Sequence, residues 1–307
     1  STKMVCKKNV NGWIFLDKPI GMSSNFALQK IRKIFNFCKA GYLGTLDPLA
    51  SGFLPIALGS ATKTIRFLER KKKEYIFTIQ WGMKTTTGDC EGFIEKKNNK
   101  MPNSNDIKKK LHNFIGEVNQ IPPNFSSVKV NGVRAYQLAR KKNNFKLKPR
   151  SVNIMQFRLK KMISNDKTLF YVECGSGTYV RSLAESLAES LGTFGTILSL
   201  RRIGFSNCNK KLISLDYLLS LVHSDELINL VKPVEFIFNG AKEIILNKDQ
   251  VDKIIVGKPI QMDGDFFPNE NKNSNDLVFA KYADQVVAYG FFLKKNFYPK
   301  RLLRAFN

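Results

Sequence analysis

Along the chain, apolar residues gather in short runs whose period changes repeatedly between strand-like and helix-like. Gly12 to Asp17 (GWIFLD) is a continuous apolar run of strand length, ended by the turn residues Lys18-Pro19-Ile20-Gly21. Ser23, Ser24 and Asn25 then offer an N-cap, and Phe26, Leu28, Ile31, Ile34 and Phe35 recur at helical spacing, which predicts a helix. After a turn-rich loop around Asp47, a short helix is expected near Thr62 to Leu68. Lys73 to Gln80 (KEYIFTIQ) is rich in β-branched and aromatic residues and predicts a strand, TTTGDCEG at 85–92 reads as a loop, and Asp106 to Phe114 has a basic helical pattern. Strands around Val152 to Lys161 and Leu169 to Cys174 lead through Gly175-Ser176-Gly177 into a helix from about Tyr179 to Leu191. Its doubled LAES places Leu183, Ala184, Leu187 and Ala188 on one buried face, a packing repeat rather than a functional one.

Past Phe236 the pattern shifts to short strands with turns, at Glu243 to Leu246, Val278 to Tyr282 and Val286 to Phe292, with an Asn-rich surface loop at 269–276. This change divides the chain into a large unit, 1–236, and a small β-rich module, 237–307. A length of 307 residues with 43% hydrophobic content suffices for both cores.

Charge narrows the partners. Lys and Arg total 50 against 25 Asp and Glu, a formal net charge of +25, which points to a polyanion and first to nucleic acid, with part of the excess a solvated lysine-rich surface. The excess is concentrated in Ile121 to Arg150, IPPNFSSVKVNGVRAYQLARKKNNFKLKPR, which contains no acidic residue. Phe125, Tyr136 and Phe145 interleave this cationic arm, where they either stack on bases or pin the arm to the body. Lys294, Lys295, Lys300, Arg301 and Arg304 make the tail from Phe291 basic as well. No apolar run reaches the roughly 18 residues of a membrane span, and no membrane partner is expected.

Cys6, Cys38, Cys90, Cys174 and Cys208 are scattered and never form a CxxC pair, so reduced thiols in a cytoplasmic protein are expected rather than zinc ligands or disulfides. The N-terminal STKMVCKKNVNGWIF lacks the apolar segment of a secretory signal. With only His112 and His223 present, histidine-based triads and metal clusters are nearly excluded, and no phosphate-binding GxxxxGK[ST] or dinucleotide GxGxxG motif occurs. Chemistry must rest on carboxylates, Tyr, Lys or Arg. The most suggestive carboxylate is Asp47, in GYLGTLDPLASG at 41–52. Gly41, Gly44 and Gly52 open conformations closed to other residues, and Pro48 biases Asp47 away from the helical region. Taken alone, an Asp before Pro closes an Asx-turn more often than it does chemistry.

Four separated segments together change that balance: LDKPIGMSS at 16–24 with KAGYLGTLDPLASGFLPIALGSATK at 39–63, KEYIFTIQWGMKTTTGDCEG at 73–92, GSGTYVRSLAESLAESLG at 175–192, and LSLRRIGFS at 198–206. The chain resembles the TruB-type tRNA pseudouridine synthases. The resemblance implies an α+β fold with a mixed, largely antiparallel central sheet and flanking helices, and, more faintly through VGKPIQ at 256–261 and the YGFFLKKNFYPKRLL ending, a PUA-like C-terminal RNA-binding domain. It implies isomerisation of uridine to pseudouridine in the tRNA T-loop, at conventional position 55, by a monomer without cofactor or metal. Under it, Asp47 matches the nucleophilic aspartate, acting by addition to the sugar or base or by stabilising a cationic sugar. Arg181 matches the arginine that pairs with it, and Tyr75 the tyrosine against the target base. Tyr179 and Leu200 match positions lining the flipped base, and Lys18 with Pro19 a turn that supports the pocket. The 121–150 arm resembles the family's RNA-embracing insertion, suited to gripping a T-stem-loop while its uridine is extruded. Tyr42 stands where most members have a histidine near the displaced nucleotide, so its role in flipping is open. A catalytically silent RNA-binding or tRNA-folding protein with the same arm and pocket is the competing expectation, and no helix-turn-helix or zinc motif favours DNA.

Overall fold

The segment GWIFLDK forms β1 (Gly12–Lys18), and its residues 13–16 are all apolar because both faces are buried there, Ile14 and Leu16 in one core and Trp13 and Phe15 in another. The structure, a computed structural model, describes residues 10–206, 208, 211–238, 240–262 and 276–304. Cys6 and nearly all of the Asn-rich 269–276 stretch lie outside the described residues. Helix α1 (Ser24–Ile34) begins at Ser23, whose hydroxyl accepts a hydrogen bond from the Phe26 amide. It buries Ala27, Leu28, Ile31 and Ile34, whereas Phe26, expected on that face, is exposed because it lies one position off the stripe.

After β2 (Ala40–Tyr42), residues expected only as loop form the long strand β3 (Ala50–Leu58). Gly52 and Pro55 hide it in the sequence, since both are rare inside strands. Each has a local reason. Gly52 has φ +101°, and a Cβ there would sit 2.2 Å from the Arg202 carbonyl oxygen. Pro55 stands where one edge of β3 changes partner, between residues 50–52 and residues 56–58. The expected helix near Thr62 is a 3₁₀ turn, Gly59–Phe67.

The remaining strands of the main sheet are β4 (Lys73–Trp81), β5 (Gly116–Gln120), β6 (Arg150–Ser164), β7 (Lys167–Cys174), β8 (Gly195–Phe205) and β9 (Ile213–Ser214). Helices α2 (Ser104–Leu111), α3 (Ala135–Arg140) and α4 (Val180–Ser190) interrupt them, α3 lying within the cationic arm. The sheet order is β9-β1-β3-β8-β4-β7-β6-β5, with β2 also on β3. Only β9 with β1 and β3 with β8 pair in parallel, so the fold is α+β with a mixed, largely antiparallel sheet.

A second, five-stranded sheet follows, formed by β10 (Lys242–Ile245), β11 (Ile260–Gln261), β12 (Leu277–Tyr282), β13 (Gln285–Leu293) and β14 (Asn296–Leu302) in the order β10-β12-β13-β14-β11. Helix α5 (Lys248–Ile255), not foreseen in the sequence, starts with an Asn247/Gln250 capping box. Phe279, Tyr289 and Leu303 of this part share one hydrophobic cluster with Trp13, Phe15, Phe53 and Phe205 of the main sheet. No helix among the described residues is long and apolar enough to cross a membrane.

Candidate active site

Asp47 lies in the loop between β2 and β3. The Ala50 amide donates to its backbone carbonyl at 2.9 Å, so main chain closes the Asp-Pro turn and the carboxylate is left for another partner. The KPIGMSS turn clamps this loop from below. Ser24 Oγ accepts from the Leu46 amide at 2.8 Å and donates to the Leu46 carbonyl at 3.0 Å, while the Gly21 amide donates to the Pro48 carbonyl at 2.8 Å. Lys18 is fully buried, and its ammonium donates to the carbonyls of Pro19, Met22 and, at 3.4 Å, Pro48. Burial pushes Lys18 down to about 8, against the pull of Asp47 and Glu91. On the other side, Gly44 has φ +69°, and a Cβ there would come within 2.7 Å of the Arg202 guanidinium.

The carboxylate of Asp47 meets Arg181 at the start of α4: Nε is 2.9 Å from Oδ2 and Nη2 is 3.4 Å from Oδ1. The same guanidinium donates to the Thr87 and Phe125 carbonyls, each at 2.9 Å. It is thereby fixed by three segments at once. The Arg181 side chain is 5% exposed and that of Asp47 35%, so the cation is sunk in the wall and the carboxylate faces the opening. Burial pushes Asp47 up from the ordinary carboxylate range, Arg181 pulls it down, and the nearby Asp89 pushes it up again. Asp89 is buried in the 85–92 loop, where Thr87 Oγ1 at 2.6 Å and the Glu91 amide at 3.1 Å donate to its Oδ1.

These groups rim a cavity of about 520 Å³ whose floor is a patch of the main sheet. Lys73 and Tyr75 on β4, two residues apart, and Leu200 and Arg202 on β8, likewise two apart, all line it. Arg202 lies directly across from Tyr75 in the β8/β4 register, where its charge works against the effect of burial on the phenol. Fully buried, Arg202 donates to the carbonyls of Phe53, Leu43 and Gly44. Burial raises the Tyr75 phenol, which is therefore neutral at neutral pH. Tyr179, the N-cap of α4, completes the wall, and Gln120 at the end of β5 holds its main chain from both sides, accepting from the amide at 2.7 Å and donating to the carbonyl at 3.0 Å. Phe125 and Tyr136 of the arm line the cavity; Phe145 does not. The buried Ser126 hydroxyl also lines it and has no partner among the described residues.

The geometry thus gathers Asp47, Tyr75, Arg181, Tyr179 and Leu200, and leaves out two expected residues. Tyr42 pairs with Ile56 in the sheet and packs on the core, while Lys18 acts beneath the loop. Sequence reasoning missed Arg202, Asp89, Gln120 and Ser24. The Leu200-to-Arg202 alternation was a usable signal for the first; Gln120 and Ser24 act through main-chain contacts that no spacing reveals, and Asp89 through its charge near Asp47. A larger cleft of about 960 Å³, lined by Lys63, Val234, Gln285 and Leu303 among others, contains none of these residues.

The model of the TruB family pseudouridylate synthase (N terminal domain) matches residues 32–180. The chain is 42% identical over 255 residues to tRNA pseudouridine synthase B of Ehrlichia ruminantium, covering 82% of this chain and 86% of that one. It is 38% identical over 310 residues to the protein of the same name in Bartonella henselae, covering 95% and 96%. Among solved structures, a Cbf5-Nop10-Gar1 complex aligns with a TM-score of 0.71 at 23% identity, over 96% of this chain and 85% of that chain, a likeness of fold.

Proposed function

The chain belongs to the TruB family of pseudouridylate synthases, and from that premise we propose that it isomerises uridine to pseudouridine in tRNA, within the T-loop. The observation that carries this reading is the Asp47–Arg181 pair at the mouth of a cavity floored by Tyr75 and Leu200. A carboxylate can bond reversibly to the sugar or base, or stabilise a sugar cation, and Arg181 holds it ionised and aimed while its own donors are anchored in the wall. Tyr75, neutral and buried, offers an aromatic face to the extruded base; Leu200 and Tyr179 close the walls against water. The cationic arm grips the RNA by its phosphates, and its root is tied to the catalytic helix through Gln120 with Tyr179, Ile121 with Ser182 and Phe125 with Arg181. Under this proposal residues 1–236 are the catalytic domain, 237–307 a PUA-like RNA-binding module, and the protein works in the cytoplasm as a monomer on a T-stem-loop.

Position-resolved pseudouridine mapping of tRNA after incubation with wild-type protein and Asp47→Asn tests it. Wild type is expected to modify the T-loop uridine and Asp47→Asn to bind RNA without product. Full product formation by the variant would remove Asp47 from the mechanism, and RNA binding without product by wild type would favour a silent RNA-binding protein.

A further inference from the structure

The charges of the cavity are sorted by wall. Asp47, Asp89 and Glu91 stand on the rim loops, whereas Lys73 and Arg202 stand on the sheet floor, beside the Tyr75 ring. Lys73 projects from the same face of β4 as Tyr75, with Phe205 opposite it on β8 and Cys174 opposite it on β7. Its ammonium lies 5.5 Å from the centre of the Phe205 ring and makes no hydrogen bond or ion pair among the described residues. The other lining cations are differently placed. Arg181 is fixed on Asp47 and two carbonyls, Arg202 on three carbonyls, and Arg140 sits on the arm over the Tyr136 ring. A half-buried lysine with uncommitted donors beside a second cation is costly unless a ligand supplies negative charge.

The reaction supplies it. Breaking C1′–N1 sends the bond's electron pair to the base; after the base turns, C1′–C5 forms, C5 loses its proton and N1 ends protonated. If Asp47 instead adds to the base ring, the electron pair is pushed onto the same ring. Either way the base's carbonyl oxygens become anionic while the sugar side faces the carboxylate rim. We propose that Lys73 is a catalytic residue that donates a hydrogen bond from its ammonium to an anionic uracil oxygen, with Arg202 fixing the positive potential of the floor. No proton is transferred in this contact; its effect is greatest where the charge develops. This rests on the reading that the cavity isomerises uridine.

Burial and Arg202 push Lys73 down to about 8, with Glu69 pulling it back up. Cys174 is pushed up to about 11 by burial and stays a neutral thiol near pH 8. The charged form of Lys73 is therefore present below about pH 8 and lost above it.

The test is pseudouridine formation on a T-stem-loop transcript by wild type, Lys73→Met and Lys73→Arg from pH 6 to 9.5. Lys73→Met is expected to lower kcat about 100-fold, the order seen when one donor to a developing anion is removed, with RNA affinity little changed. The wild-type kcat/KM, which reports the free enzyme, should fall above about pH 8, and this limb should vanish in Lys73→Arg. Lys73→Met turnover within a few-fold of wild type, or a basic limb unmoved in Lys73→Arg, overturns the proposal. If Lys73→Met fails to fold, the Lys73→Arg limb decides alone. Absence of pseudouridine with wild type would instead sink the parent reading.

Discussion

The guanidinium of Arg181 bridges three segments, spending some of its donors on Asp47 and the others on the Thr87 and Phe125 carbonyls. Lysine in its place keeps the charge but cannot satisfy both carboxylate oxygens and the two carbonyls together, so Asp47 loses its aim. Arg181→Lys is expected to reduce single-turnover formation of pseudouridine about 100-fold, the scale of a small misplacement of reacting groups. Near wild-type turnover would show that charge alone suffices. The acid side of the pH profile belongs to Asp47. Its raised pKa means that activity should fall with decreasing pH sooner than for an ordinary carboxylate, because protonation removes the reacting anion. Asp89→Asn removes one of the charges that raise it and keeps an oxygen for Thr87 and the Glu91 amide. The acid limb of kcat/KM should then move to lower pH; an unmoved limb would assign it to another group.

Elements read most clearly from the sequence where one local rule decided them. The α1 stripe and its Ser23 cap, and the LAES face of α4, follow from helical period alone. Strand β3 did not, because Gly52 and Pro55 obey tertiary demands, the close approach of β8 and the change of partner to β2. For the site, Asp47, Arg181 and Tyr75 were legible as motif positions, whereas Gln120 and Ser24 hold main-chain atoms of other segments and carry no spacing signature. The arm shows the same division. Its charge is plain in composition, but its attachment to α4 is visible only in the fold. Neutralising Lys141, Lys142, Lys146 and Lys148 is expected to weaken RNA binding and flatten its salt dependence by roughly one unit of slope for each phosphate that no longer meets a cation. Filter or anisotropy titrations across a salt series measure this, and an unchanged slope would place those lysines off the phosphates.

At the scale of the whole molecule, the second sheet has a core of its own around Ile244, Val251, Val287 and Phe297, but a further cluster runs across the boundary suggested by the change of period near Phe236. The 3₁₀ turn Val234–Ile237 lies inside the cluster that joins Trp13, Phe15 and Phe53 to Phe279 and Tyr289. Polar bonds cross as well: Arg66 donates to the Tyr289 hydroxyl at 3.1 Å, and Lys63 donates to the Leu302 carbonyl at 2.9 Å. Tyr289 is fully buried, and its ring meets Phe67 edge-on at 5.0 Å between centroids. A chain ending at residue 240 would strip Phe67 and Phe238 of their ring contacts with Tyr289 and Phe279 and open the apolar cluster that these share with Trp13, Phe15 and Phe53. Such a truncation is therefore expected to aggregate rather than to yield an independently folded catalytic unit, and the intact chain to melt in one cooperative transition. Tyr289→Ala, which removes the ring but keeps both sheets, should cost about 3–5 kcal/mol, as for other buried aromatic truncations, and lower the whole transition. Calorimetry separates the alternatives: two transitions, with only the smaller shifted by Tyr289→Ala, would mean that the sheets fold independently despite their shared cluster.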